Sequence, residues 1–140
     1  MEKFEKITIS TVIDATLETV WQAFTLPEHI TKWNFASDDW HCPSAINNLV
    51  SGGAFSYRMA SKKEDIGFDF GGTYLKVEPL NHISYELGDG RVVSIDFKSL
   101  DASSVLVEET FDAEKLNPLE LQRNGWQAIL NNFKSHAESL

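Results

Sequence analysis

The chain has 140 residues, of which 42% are hydrophobic and 24% charged, a size and balance that suit a single globular domain over 1–140. No apolar run approaches the roughly 20 residues that span a bilayer, so a membrane is not an expected partner. The net charge is −9 and no cluster of Lys and Arg offsets it, which argues against a nucleic-acid partner because phosphate backbones are repelled.

Residues 1–6 alternate charged and aromatic side chains and carry no apolar signal-peptide core, so a cytoplasmic location is expected. Ile7, Ile9, Thr11 and Ile13 recur at period two, the mark of a strand over 6–13 with one buried face. Thr16 is an N-cap for a short helix carrying Val20, Trp21, Ala23 and Phe24. Pro27 restarts the chain as a second short helix over 27–33, with Ile30 and Trp33 on one face. Residues 34–49 are polar, aromatic and aperiodic, and read as a long loop. Within it, Trp40 is the anchor of a lid, His41 lies near its entrance and Pro43 is its stop. The sole cysteine, Cys42, permits no internal disulfide and fits a reducing compartment. Adjacent His41 and Cys42 do not have a zinc spacing, and Cys42 has no identified base or oxyanion donor; neither a metal nor a nucleophile is expected there.

Gly52 and Gly53 open a strand in which Phe55, Tyr57 and Met59 alternate. A charged turn at 62–65 leads to Phe68 and Phe70, a break at Gly71 and Gly72, and a resumed strand from Tyr74 to Val77. Paired glycines inside a strand suggest a bulge or bend. Ile83, Tyr85 and Leu87 mark the next strand, and Gly88, Asp89 and Gly90 a tight hairpin. Val93, Ile95 and Phe97 follow, then a turn at 101–103 and a last strand around 105–111. One long helix ends the order, with Asn117 as N-cap, Pro118 at the first helical position and Glu120 completing a capping-box-like pattern. Its apolar stripe comprises Leu119, Trp126, Ile129, Leu130, Phe133, Ala137 and Leu140. Gly125 interrupts it at a cost of about 1 kcal/mol relative to alanine, which predicts that the sheet comes close to the helix backbone there.

A meander makes an antiparallel sheet whose buried face needs a cover, and the terminal helix is the only element long enough. The expected fold is therefore α+β: a curved antiparallel sheet of about six strands around a long C-terminal helix, with two short helices after strand 1. That order resembles the helix-grip superfamily (START-like, SRPBCC), and within it the activator of heat-shock-ninety ATPase homologue-like branch. The resemblance is carried by Ile13-Asp14-Ala15 leading to Val20-Trp21, by Pro27 with Trp33, and by Gly52-Gly53-Ala54-Phe55-Ser56-Tyr57. It continues through Gly71-Gly72-Thr73-Tyr74 leading to Pro79, Asp89-Gly90-Arg91-Val92, Glu109-Thr110-Phe111 and Gln122-Arg123-Asn124-Gly125-Trp126. It implies a deep cavity between sheet and helix. It implies no particular catalytic residue, because the fold hosts binders, enzymes and co-chaperone domains alike.

The expected cavity lining is Trp33, Trp40, His41, Phe55, Tyr57, Met59, Phe70, Tyr74, Tyr85, Ile95, Phe97, Trp126 and Leu130. Trp21, Phe24 and Phe133 read as plain core, and His29, His82 and His136 as solvated surface. Period two turns Asp69, Glu86, Asp96 and Glu108 toward solvent. Glu109 differs, since Val105, Val107 and Phe111 share its face; it is the one acid marked for burial. No Ser-His-Asp set or nucleotide fingerprint is present, no cofactor is expected, and Gly71-Gly72 lacks the helix that phosphate binding needs. The first expectation is a small-molecule-binding domain for a hydrophobic or amphipathic ligand, without catalysis. The alternatives are an interaction module with a chaperone partner, as the resemblance implies, and a cyclase- or hydrolase-like enzyme, which would need a buried acid or base in the cavity.

Overall fold

The computed structural model describes residues 4–140; the part of the N-terminal alternation that falls on residues 1–3 lies outside the described residues. The first strand, β1 (Lys6–Ile13), is followed by two short helices, α1 (Leu17–Thr25) and α2 (Pro27–Trp33). A meander of β2 (Trp40–Asn47), β3 (Ala54–Ser61), β4 (Gly67–Glu78), β5 (His82–Leu87), β6 (Val92–Asp101) and β7 (Ser104–Asp112) precedes the long helix α3 (Leu119–Glu138). The seven strands form one antiparallel sheet in the order β1-β7-β6-β5-β4-β3-β2, curled as a half-barrel around α3. The alternation that identifies each strand also aims it. Ile7, Ile9, Ile13, Val105, Val107, Phe111, Val93, Ile95 and Phe97 turn one face of the sheet into the core.

The segment 40–47 corrects the expectation of a loop: it is β2, an edge strand paired with β3. Its period is hidden because the register shifts between His41 and Ser44. Cys42 is buried in that irregularity and Pro43 is exposed. Proline donates no ladder hydrogen bond, so an edge or a bulge is where a sheet accepts one. The lid reading fails with the loop.

Two glycines explain how β4 stays continuous where a break was expected. A Cβ on Gly71 would lie 2.6 Å from the Phe55 carbonyl oxygen, and one on Gly72 2.6 Å from that of Glu86. Only glycine lets the neighbouring backbones come this close. The register shift falls instead between Tyr74 and Lys76. It returns the strand to parity, so that Tyr74 and Val77 both meet inward-facing partners, Tyr85 and Ile83.

At α3 the cap is Pro118 rather than Asn117, and no side chain caps it. Gln122 organises the start instead. Its buried amide accepts from Glu114 N at 2.8 Å and donates to the Asn117 carbonyl at 2.9 Å. Leu119 and Leu140, expected on the buried stripe, are exposed. Gly125 also departs from expectation: a Cβ there would meet nothing within 4 Å, so no sheet backbone presses on it. The helix approaches the sheet along its other flank. Arg123 Nη1 donates to the Thr8 carbonyl at 2.8 Å and Lys134 Nζ to that of Val12 at 2.6 Å. These bonds cover the open edge of β1, which would otherwise invite strand addition. Toward β4 the helix reaches only by side chains, with the Trp126 and Phe70 ring centroids 6.1 Å apart. The space left under that flank is the site described next.

The outer face follows period two. Asp69 pairs with Arg58 at 3.4 Å and Asp96 with His82 at 2.7 Å. His29 and His136 are half-buried and meet each other at 2.9 Å, a correction to their reading as separately solvated residues. Among the described residues, no helix is long and apolar enough to cross a membrane.

Candidate functional site

A cavity of about 220 Å³ lies between the inner face of the sheet and α3. β3 contributes Tyr57 and Met59, β4 Phe68, Phe70 and Tyr74, β5 Ile83 and Tyr85, and β7 Glu109. α3 adds Trp126, Ile129 and Leu130, and the short helices close one end with Phe24, Thr25, Trp33 and Asn34. Phe68 is half exposed, which puts it at the rim. The volume falls below the roughly 300–1,000 Å³ of drug-sized pockets, so the space suits a smaller molecule.

Period two on four strands and the 3.6 period on α3 bring these side chains together. Of the expected lining, Trp33, Tyr57, Met59, Phe70, Tyr74, Tyr85, Trp126 and Leu130 stand on the wall. Five do not. Phe55 lies behind the wall, its ring centroid 4.7 Å from Tyr85 and 4.9 Å from Tyr57. Ile95 and Phe97 are deep core, and Phe97 is roofed by Trp21 at 5.1 Å and Phe24 at 5.4 Å. Trp40 and His41 sit on β2, where Trp40 backs Phe68 at 6.0 Å without lining the space. The wall also holds residues that the expected lining omits: Phe24, Thr25, Asn34, Phe68, Ile83, Glu109 and Ile129. Phe68 and Ile83 share the inward parity of Phe70 and Tyr85, and Ile129 lies on the helix stripe, so their signal was legible. Thr25 and Asn34 reach the wall through helix ends, where periodicity is silent.

One end of the cavity is braced by hydrogen bonds. Tyr74 Oη donates to Asn47 Oδ1 at 2.6 Å, and Asn47 Nδ2 donates to the Thr25 carbonyl at 2.7 Å. Tyr57 joins through Tyr74. Trp33 Nε1 donates to the Ala23 carbonyl at 2.8 Å, and Asn34 Nδ2 to Met59 Sδ at 3.1 Å. Burial raises the tyrosine hydroxyls above their ordinary range, Tyr57 and Tyr85 well above it, so they stay protonated donors at neutral pH. Trp126 is stacked on Phe111 at 4.1 Å with planes 9° apart, which fixes its indole against the sheet.

Glu109 has none of that support. The residue is 7% exposed, and its flanking partners on β1 and β6 are Ile9 and Ile95. No hydrogen bond or ion pair to its carboxyl is formed among the described residues, yet no buried polar side-chain atom is sealed off without a partner. The carboxyl oxygens therefore open onto the cavity. Burial pushes the acid up to about 8, so at neutral pH it is mostly a neutral O–H group. The site thus combines aromatic walls, three tyrosine hydroxyls and one uncompensated acid. Cys42 lies outside it, buried, with its thiol raised by burial. Among the described residues no three His, Cys, Asp or Glu side chains converge on a metal position.

Residues 14–138 match the family described as activator of Hsp90 ATPase homolog 1-like protein. The solution structure of an AHSA1-like protein from Aeromonas hydrophila is 42% identical, with a TM-score of 0.90, over 96% of this chain and 93% of that one. A solution structure from Cytophaga hutchinsonii is 46% identical, with a TM-score of 0.82, over 96% and 92%. A crystal structure from Chromobacterium violaceum shares the fold at 23% identity and a TM-score of 0.83, over 96% and 98%. No curated protein matches the chain.

Proposed function

The chain belongs to the activator of Hsp90 ATPase homolog 1-like family, and from that premise we propose that it is a cytoplasmic binding domain for a small, largely apolar molecule held between sheet and α3. The carrying observation is the aromatic-walled cavity of about 220 Å³. An occupant removes that apolar wall from water, which contributes roughly 25 cal/mol per Å² of buried apolar surface.

Propylbenzene, a neutral probe that does not emit with tryptophan, tests this. Titration should give a saturable shift in tryptophan emission, most of which is lost in Trp126→Phe while binding by calorimetry persists. The absence of any saturable change in the wild-type protein contradicts the reading.

A second reading rests on the family itself: a module acting on a chaperone of the Hsp90 class, with the −9 chain offering an acidic surface to a basic patch. Stimulation of a purified chaperone's ATPase by this protein, unaltered by filling the cavity, would favour it over the first.

A further inference from the structure

Among the described residues, Glu109 is the one acid on the cavity wall, and its carboxyl has no hydrogen-bond or ion-pair partner. Its surroundings define what would compensate it. Ile9 and Ile95 flank it on β1 and β6, and α3 sets Trp126 and Leu130 over the same cavity. Tyr85 on β5 is near enough for a charge on Glu109 to push its hydroxyl further up. Among the described residues, the other titratable side chains on the wall are Tyr57 and Tyr74, both neutral at physiological pH. The cation that acts on Tyr85, Arg91, is committed to Asp89 at 2.7 Å. Among the described residues, no base pairs with the acid.

An anionic ligand would be repelled by the −9 chain as a whole, and by this carboxyl once it ionises. An ammonium is drawn by both. It also meets aromatic faces, whose quadrupoles attract cations, at Phe70, Tyr85 and Trp126. Building on the cavity reading above, we propose that the physiological ligand is a primary or secondary amine on a small apolar body, its ammonium paired with Glu109 and its body against the aromatic wall. The proton balance is simple. The acid is protonated in the free protein, so on binding it releases that proton to solvent and becomes the carboxylate partner of the cation.

Four probes with one phenylethyl body and different heads test this: phenethylamine, propylbenzene, benzylacetone and phenylpropanoate. In calorimetry at neutral pH, phenethylamine should bind the wild-type protein roughly 10- to 100-fold more tightly than propylbenzene, the span expected for a charge-assisted hydrogen bond. Runs in buffers of different ionisation heat should show nearly one proton released per amine bound. Affinity should rise with pH up to about 8, where Glu109 ionises, while the amine stays protonated. In Glu109→Gln, phenethylamine should bind no more tightly than propylbenzene does in the same variant and release no proton. Phenylpropanoate should bind least. If propylbenzene binds but phenethylamine binds no better and releases no proton, the amine assignment is overturned while the cavity reading stands. If benzylacetone binds best, with affinity falling above pH 8, the acid serves as a donor to a neutral carbonyl and the amine assignment is again overturned. If none of the four binds, the cavity reading itself falls.

Discussion

Burial keeps the Glu109 carboxyl protonated up to about pH 8, whereas the same group unfolded ionises near its ordinary value of 4.5. Between those values the native state holds a proton that the unfolded chain has released, so stability falls as pH rises through the window. At about 1.4 kcal/mol per pH unit the loss is on the order of 4 kcal/mol by pH 8. Glu109→Gln has no proton to hold. In urea titrations it should match wild type near pH 4 and exceed it increasingly toward pH 8; equal stability at both ends would show that the carboxyl is solvated. The residue's inward parity was legible beside Val105, Val107 and Phe111, but its isolation was not, because a missing partner is a property of three dimensions. Gly125 teaches the converse. Its cost was legible and its cause was misjudged, since a Cβ there meets only open space. Gly125→Ala should therefore raise stability by about 1 kcal/mol, the helix-propensity difference without a steric penalty. A loss of stability in that variant would restore the close-approach reading.

At the scale of elements, β1, α1, α2 and β3 were fixed by their own periodicity, and their bounds reflect it. Thr16 caps α1 by accepting from Thr19 N at 3.2 Å, as its position before the apolar stripe implied. β2 escaped detection because its bulge at Cys42 and Pro43 breaks the alternation that reveals a strand, and its edge position leaves Pro43 and Ile46 exposed. Its ladder partner β3 supplies the order that its own sequence does not show. The sequence of β4 reads as interrupted because glycines weaken strands on average. Here they admit neighbouring carbonyls at distances no Cβ could share. Gly72→Ala places a methyl 2.6 Å from the Glu86 oxygen and 3.2 Å from the Phe55 ring. It should cost roughly 2 kcal/mol or more in chemical denaturation, within the usual span for overpacking. A neutral result would mean that β4 and β5 can separate without loss.

Across the whole molecule, the two edges of the sheet are treated differently, and the cavity results from the difference. α3 binds the β1 edge through Arg123 and Lys134, leans away from β3 and β4, and leaves the space that Trp126, Ile129 and Leu130 roof. The aromatic census of the sequence indicated a hollow container, but not which rings would line it. Phe97 and Ile95 are covered by α1 side chains and neighbouring core, contacts that no single strand encodes. Filling the void from within should trade binding for stability. Leu130→Phe should raise the denaturation midpoint by the equivalent of about 1 kcal/mol and weaken propylbenzene; unchanged affinity would place the ligand elsewhere. The most direct test of the central claim is intermolecular NOE measurement on the protein saturated with propylbenzene. The cavity account predicts contacts from the probe to the methyls of Ile83, Ile129 and Leu130. Contacts confined to the exposed Leu116, Leu119 and Leu121 would contradict it.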